Sequence, residues 1–317
     1  MYTNLSINRI RKRRKMLMSS YEKVSLKSED GYDLSLFVFE SQNAAGTVQM
    51  VHGMEEHKER YVPFAQFLAD NGFNVVISDL RGHGEDAPLL SHIADKGGEE
   101  LLIKDQQLIT KYIKERFKGL KVYLFGHSMG TIISRVLLQT DSKEYAKVAL
   151  SGYVCPNPAS PVAVALGNVV RAVKKPKGHS AMLTNLALGP YTKAVKDSKT
   201  PCDWLSYNED NVQKYIADPL CGVEFTTGSY CALFHLLNKM GKAGCYVNID
   251  ANQPFLLIGG EDDPCTGGEK GRADSKALLE KAGFKNISVI TYPMMRHEIL
   301  NEDEKEKVYR DILDFFR

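Results

Sequence analysis

The feature that most constrains this chain is the spacing of its apolar runs. Short stretches rich in β-branched and aromatic residues alternate with longer stretches of helical period. "TVQMVH" (47–52), "NVVISDL" (74–80), "KVYLFG" (121–126) and "KVALSG" (147–152) read as buried strands. "KVSL" and "DLSLFVF" flank Asp30 and Gly31 and read as a hairpin. Residues 60–71 place Tyr61, Phe64, Ala65, Phe67 and Leu68 on one helical face and end at Asn71-Gly72. Residues 100–117 form an amphipathic helix that stops near Gly119. Strands joined through helices are parallel neighbours, so the alternation predicts an α/β fold, mostly parallel, with helices on both faces.

The rhythm breaks after Gly152. From Tyr153 to about Asn252 no strand pattern appears. Prolines stand at 156, 158 and 161, "VAVALGNVVRAV" follows, and helical pieces read at 182–188, 209–217 and 229–240. The strand rhythm resumes with "PFLLIGG" (254–260), a helix near 272–282, "ISVITY" (287–292) and a closing helix at 303–316. The expected organisation is a core made of 21–152 and 253–317, interrupted by a helical insertion at 153–252. Residues 1–20 are expected to be a basic, disordered tail.

Composition excludes several classes. With 43% hydrophobic and 25% charged residues in 317, the chain can bury a sizeable core. Its formal charge of +2 points to no particular partner. Six basic residues crowd into positions 9–15 with no acid beside them, so the rest is net acidic. That run could attract phosphates, but a solvated tail is the expected reading, and no nucleic-acid partner is expected. Only "MLM" follows the charges, too short for the apolar region of a secretory leader, so none is expected, and no apolar run is long enough for a spanning helix. The six cysteines show neither a C-x-x-C pair nor zinc spacing, and no H-E-x-x-H occurs. Reduced thiols, a cytoplasmic location and no metal or organic cofactor are expected.

The stretch "YLFGHSMGTI" (123–132) sets Ser128 between Gly126 and Gly130, after a strand and before a helix. A serine hydroxyl is a weak nucleophile. It needs a base, a carboxylate to orient that base, and donors for the developing oxyanion. Ligands on parallel sheets gather beyond the carboxyl ends of strands, where each part has a candidate. His297 follows strand 287–292. Asp263 follows strand 254–259 in "GGEDDPCTGG", with Asp262 as its rival. The backbone N–H of Met129, at a helix start, is one oxyanion donor. The N–H of Met54, in the loop after strand 47–52, is the other. An ordinary helix N-cap is the competing role for Ser128, and a turn former for either aspartate.

The order Ser, Asp, His with intervening strands matches the α/β-hydrolase order. "HGMEEHKERY", "DLRGHGED", "GHSMG" and "MRHEILNE" resemble the monoacylglycerol lipase and lysophospholipase branch of that superfamily, the serine aminopeptidase S33-like group. The resemblance covers roughly residues 21–317. It implies Ser128 as nucleophile, His297 as base and Asp263 as acid, with Gly260 and Cys265 filling the acid-loop pattern. It maps the oxyanion donors to Met54 and Met129. It makes Arg81, His83 and Gly84 a structural turn, and Glu56 and His57 supports of the oxyanion loop. Met295-Arg296 departs from relatives that place a small residue before the histidine. The resemblance further implies that the insertion is a cap over the nucleophile.

The expected activity is hydrolysis of carboxylic esters through an acyl-enzyme, on monoacylglycerols, lysophospholipids or shorter acyl esters. "PVAVALGNVVRAV" and "YCALFHLL" are apolar enough to line an acyl pocket. Lys174, Lys175 and Lys177 beside them suggest a peripheral membrane contact through the cap. Two rivals stand. One is an aminopeptidase or amidase, with Glu209, Asp210 and Glu224 as candidate recognisers of a free amine. The other is a non-catalytic ligand-binding protein on the same fold.

Overall fold

A computed structural model describes residues 21–317. The basic run at 1–20 lies outside the described residues. The chain builds one eight-stranded sheet in the order β1-β2-β4-β3-β5-β6-β7-β8. Its strands are β1 (Tyr21–Lys27), β2 (Asp33–Phe39), β3 (Gly46–Val51), β4 (Asn74–Ser78), β5 (Lys121–His127), β6 (Val148–Ser151), β7 (Pro254–Gly260) and β8 (Asn286–Tyr292). β1 and β2 form the antiparallel hairpin turned by Asp30-Gly31, and β2 pairs antiparallel with β4. From β4 through β8 every pairing is parallel. The expected α/β fold with a mostly parallel sheet is therefore the observed one.

β3, β4 and β6 are buried along their whole length, as strands covered on both faces must be. One face carries α1 (Val62–Asp70), which buries Phe64 and Leu68, and the closing helix, which buries Val308, Ile312 and Phe316. The other face carries α2 (Gly98–Arg116) and α3 (Met129–Asp141), with Leu102, Ile109, Ile133 and Leu137 at full burial. Between β6 and β7 the chain forms four helices and no strand: α4 (Ser160–Lys174), α5 (Ala181–Thr192), α6 (Glu209–Ala217) and α7 (Thr227–Met240). α8 (Gly268–Lys281) and α9 (Lys305–Phe316) complete the core.

Element boundaries moved in two informative places. β5 runs one residue past the expected end at Gly126, because His127 keeps pairing with Ser151. α8 starts at Gly268, ahead of the expected 272, because Gly267 and Gly268 take left-handed φ values of 71° and 64° and turn the acid loop directly into the helix. The six cysteines are free thiols. Among the described residues no helix is long and apolar enough to cross a membrane.

Candidate active site

Ser128 sits where β5 turns into α3, with φ 53° and ψ −120°. Such backbone costs of order 1–3 kcal/mol and persists only where its surroundings enforce it. Two glycines allow the enforcement. A Cβ on Gly126 would stand 2.8 Å from the Gly130 carbonyl, and one on Gly130 would stand 2.1 Å from the carbonyl of Val51. The start of α3 therefore packs against the end of β3, and the loop after β3 comes up to Ser128. Ser128 does not cap α3 with its side chain. Its Oγ lies 2.7 Å from His297 Nε2 instead.

His297 Nδ1 lies 3.1 and 3.0 Å from the two carboxylate oxygens of Asp263. A proton on Nδ1 serves that contact and leaves Nε2 to accept from the serine hydroxyl. Burial alone would lower the His297 pKa, but the Asp263 carboxylate outweighs it and holds the imidazole above its ordinary value. The sequence left Asp262 and Asp263 in competition. Asp263 is buried, reaches His297, and accepts the Cys265 N–H at 2.8 Å. Asp262 is exposed and bonded to the Tyr207 hydroxyl.

The loop after β3 is oriented by side chains. His52 Nε2 accepts the Leu80 N–H at 2.9 Å, so the ring proton sits on Nδ1, which donates to the Gly53 carbonyl at 2.8 Å. Burial keeps this ring neutral, far below the ordinary histidine pKa. In a trans peptide the carbonyl and the following N–H point opposite ways. Holding the Gly53 carbonyl thus turns the Met54 N–H away from His52. Gly53 N–H donates to Glu56 Oε1 at 2.6 Å, and Glu55 N–H donates to His83 Nε2 at 3.3 Å. Met129 is the first residue of α3, where N–H groups have no partner within the helix. Met54, Ser128 and Met129 line one cavity together.

That cavity has a volume of about 360 Å³. Ile132 walls it from the core, and Val154, Leu166, Leu186, Tyr191 and Phe234 from the insertion. Glu209, Asp210 and Glu224, the candidate amine recognisers, are not among its walls. Glu209 pairs with Lys199, and Glu224 accepts from Thr184.

Two supports, Arg60 and Glu298, are not singled out by the sequence. Arg60 bridges Glu56 Oε2 at 2.8 Å and both oxygens of Glu298 at 2.7 and 2.6 Å. It ties the loop after β3 to the residue after His297. Burial would raise the Glu298 pKa, yet the guanidinium holds it well below the usual carboxylate range. Arg296, the departure noted before the histidine, donates to the carbonyls of Asp203 and Ser206 and lies 3.9 Å over the Tyr207 ring. It fastens the histidine loop to the insertion. His57 sits between Glu59 at 2.6 Å and Asp218 of the insertion at 2.9 Å. Its proximity to Asp218 and Cys221 resembles a metal-ligand cluster, but both ring nitrogens are engaged by carboxylates. Arg81 pairs with Asp105 at 2.5 Å and Asp30 at 2.7 Å.

The chain is similar to several known proteins. A monoacylglycerol lipase of Mycolicibacterium smegmatis is 25% identical over 84% of this chain and 86% of its own length. The human monoglyceride lipase is 27% identical over 67% of this chain and 63% of its own. The crystal structure of a carboxyl esterase from Bacillus coagulans in complex with glycerol superposes with a TM-score of 0.87 at 24% identity, covering 94% of this chain and 98% of that one. The family model Hydrolase_4, described as serine aminopeptidase, S33, matches residues 42–304, which run from ahead of β3 to the residue before the closing helix. The chain is a member of that α/β-hydrolase family.

Proposed function

We propose that this protein hydrolyses carboxylic esters through an acyl-enzyme formed on Ser128. The observation that carries the reading is the 2.7 Å contact between Ser128 Oγ and His297 Nε2, opening onto an apolar cavity. The acyl chain lies in the cavity. Ser128 Oγ attacks the carbonyl carbon while its proton passes to His297 Nε2. Asp263 stabilises the imidazolium, and the Met54 and Met129 N–H groups receive the oxyanion. The C–O bond to the alcohol breaks, and the leaving oxygen takes the proton from Nε2. Water repeats the attack, with His297 as base, and releases the acid. The names of the relatives support an acylglycerol or related lipid ester as substrate.

In this reading the insertion is a cap domain, 153–252, set on a core of 21–152 and 253–317. Its outer helix shows Val162, Val169 and Val173 at 69%, 62% and 74% exposure, beside exposed Lys174 and Lys175. That face suits peripheral contact with an anionic lipid surface. Equal pelleting with anionic and neutral vesicles would count against it.

A p-nitrophenyl ester series tests the activity. Ser128→Ala is expected to lower kcat by several orders of magnitude with the fold intact. kcat/KM should rise with acyl length until the cavity is full, at up to about 0.8 kcal/mol per buried methylene. Undiminished hydrolysis by Ser128→Ala defeats the reading.

A further inference from the structure

Trp204 is the one tryptophan of the chain. It belongs to the insertion, on the single turn Asp203–Leu205, far in sequence from the histidine loop. Yet its ring lies against His297, with centroids 4.9 Å apart and planes at 40°. Tyr191, a cavity wall, backs the indole at 5.3 Å. His127 is the second ring against the imidazole, at 4.8 Å.

The contact is held from both sides. Glu298 N–H donates to the Leu205 carbonyl at 2.7 Å, and Arg296 Nη1 to the Asp203 carbonyl at 2.6 Å. The Glu302 carboxylate accepts from Ser206 Oγ at 2.7 Å and from the N–H groups of Tyr207, Asn208 and Arg296. One buried carboxylate thus ties residues 206–208 of the insertion to the residue before His297. Indole and imidazole ride on two chain segments sewn together around them.

An aromatic face attracts a cation, and the proposed reaction makes one transiently at His297. The titratable groups around this ring include Asp263, Cys265, Glu298, Glu56 and His127. His127 does not compete for the proton, because burial and the charge of His297 push it down to about 4. We propose that Trp204 is a positioning residue for His297: the insertion supplies an indole shelf that keeps the imidazole in line between Ser128 and Asp263 and favours its cationic form. The inference rests on His297 being the base of the proposed reaction. It makes the insertion part of the catalytic apparatus as well as a wall of the acyl cavity.

Tryptophan emission tests it without turnover, since all of that emission comes from one residue. A protonated imidazole against an indole quenches it. Emission should fall as pH is lowered through the His297 pKa, with a midpoint above 6.5, the ordinary histidine value. Ser128→Ala should keep this titration and His297→Gln should lose it. A flat wild-type profile, or a titration that survives His297→Gln, overturns the proposal. Kinetics supply a second readout. Trp204→Leu should lower kcat about tenfold with little change in KM and move the acid limb of the kcat profile to lower pH, and Trp204→Phe should recover most of the loss. Wild-type kcat and acid limb in Trp204→Leu overturn the proposal. If Trp204→Leu fails to fold, the wild-type fluorescence titration decides. Ester hydrolysis that survives Ser128→Ala defeats the catalytic reading itself, whereas full activity in Trp204→Leu with Ser128 still required defeats the shelf alone.

Discussion

The two halves of the insertion use similar apolar sequence for different ends. α7 buries ten of its fourteen residues, among them Tyr230, Phe234, Leu236 and Met240, and packs on α2, α3 and α4. α4 buries only Ser160 and Gly167. Val169 and Val173 face solvent, and Val162, Ala163 and Leu166 line the cavity. The second half is also bonded to the core by charge: Arg60 and Glu298 reach Asn211, and His57 reaches Asp218. Apolarity alone therefore does not say whether a helix faces core, cavity or solvent. The charged and polar partners around it do.

That contrast can be broken in order of effect. Glu298→Ala leaves the Arg60 guanidinium with Glu56 as its remaining carboxylate partner and deprives the Asn211 amide of its acceptor, and breaking a buried pair costs about 3–5 kcal/mol. Urea unfolding should show that loss, and activity should fall because residue 298 adjoins His297. Phe234→Ala in α7 should cost about 3 kcal/mol, the low end for such a truncation, because one side of the ring already borders the cavity. Val173→Ser in α4 should lie within about 0.5 kcal/mol of wild type. A Val173→Ser loss as large as that of Phe234→Ala would erase the distinction between the halves.

The His57 contact sharpens the contrast through pH. Burial opposes its charge, but Cys221, Glu59 and Asp218 together push its pKa up to about 11. A raised folded pKa means that its stabilisation is fully present below the unfolded value of 6.5 and is lost as pH rises through about 11. Thermal melts should show an alkaline decline that His57→Asn flattens. An equal decline in that variant would assign the effect to other groups.

Much of the core and the site was legible because parallel strands deliver their loops to one edge. Ser128, Asp263 and His297 were each found at the end of a strand, so the sheet itself brings them together. The sequence favours Asp263 over Asp262, but what separates the two neighbours is which way the turn points each side chain. Arg60 and Glu298 meet across 238 positions, a pairing no local period encodes. Trp204 offered only its rarity as a signal. Its place against His297 depends on how Glu302 and Arg296 anchor the insertion. Arg296, noted in the sequence as a departure from relatives, is one of those anchors.

The central claim is that Ser128 is made nucleophilic by His297 and Asp263. Reaction with a fluorophosphonate, read by intact mass and peptide mapping, tests it most directly. The account predicts a single adduct on Ser128 that is lost in His297→Gln. No adduct, or labelling carried by another residue, would contradict it.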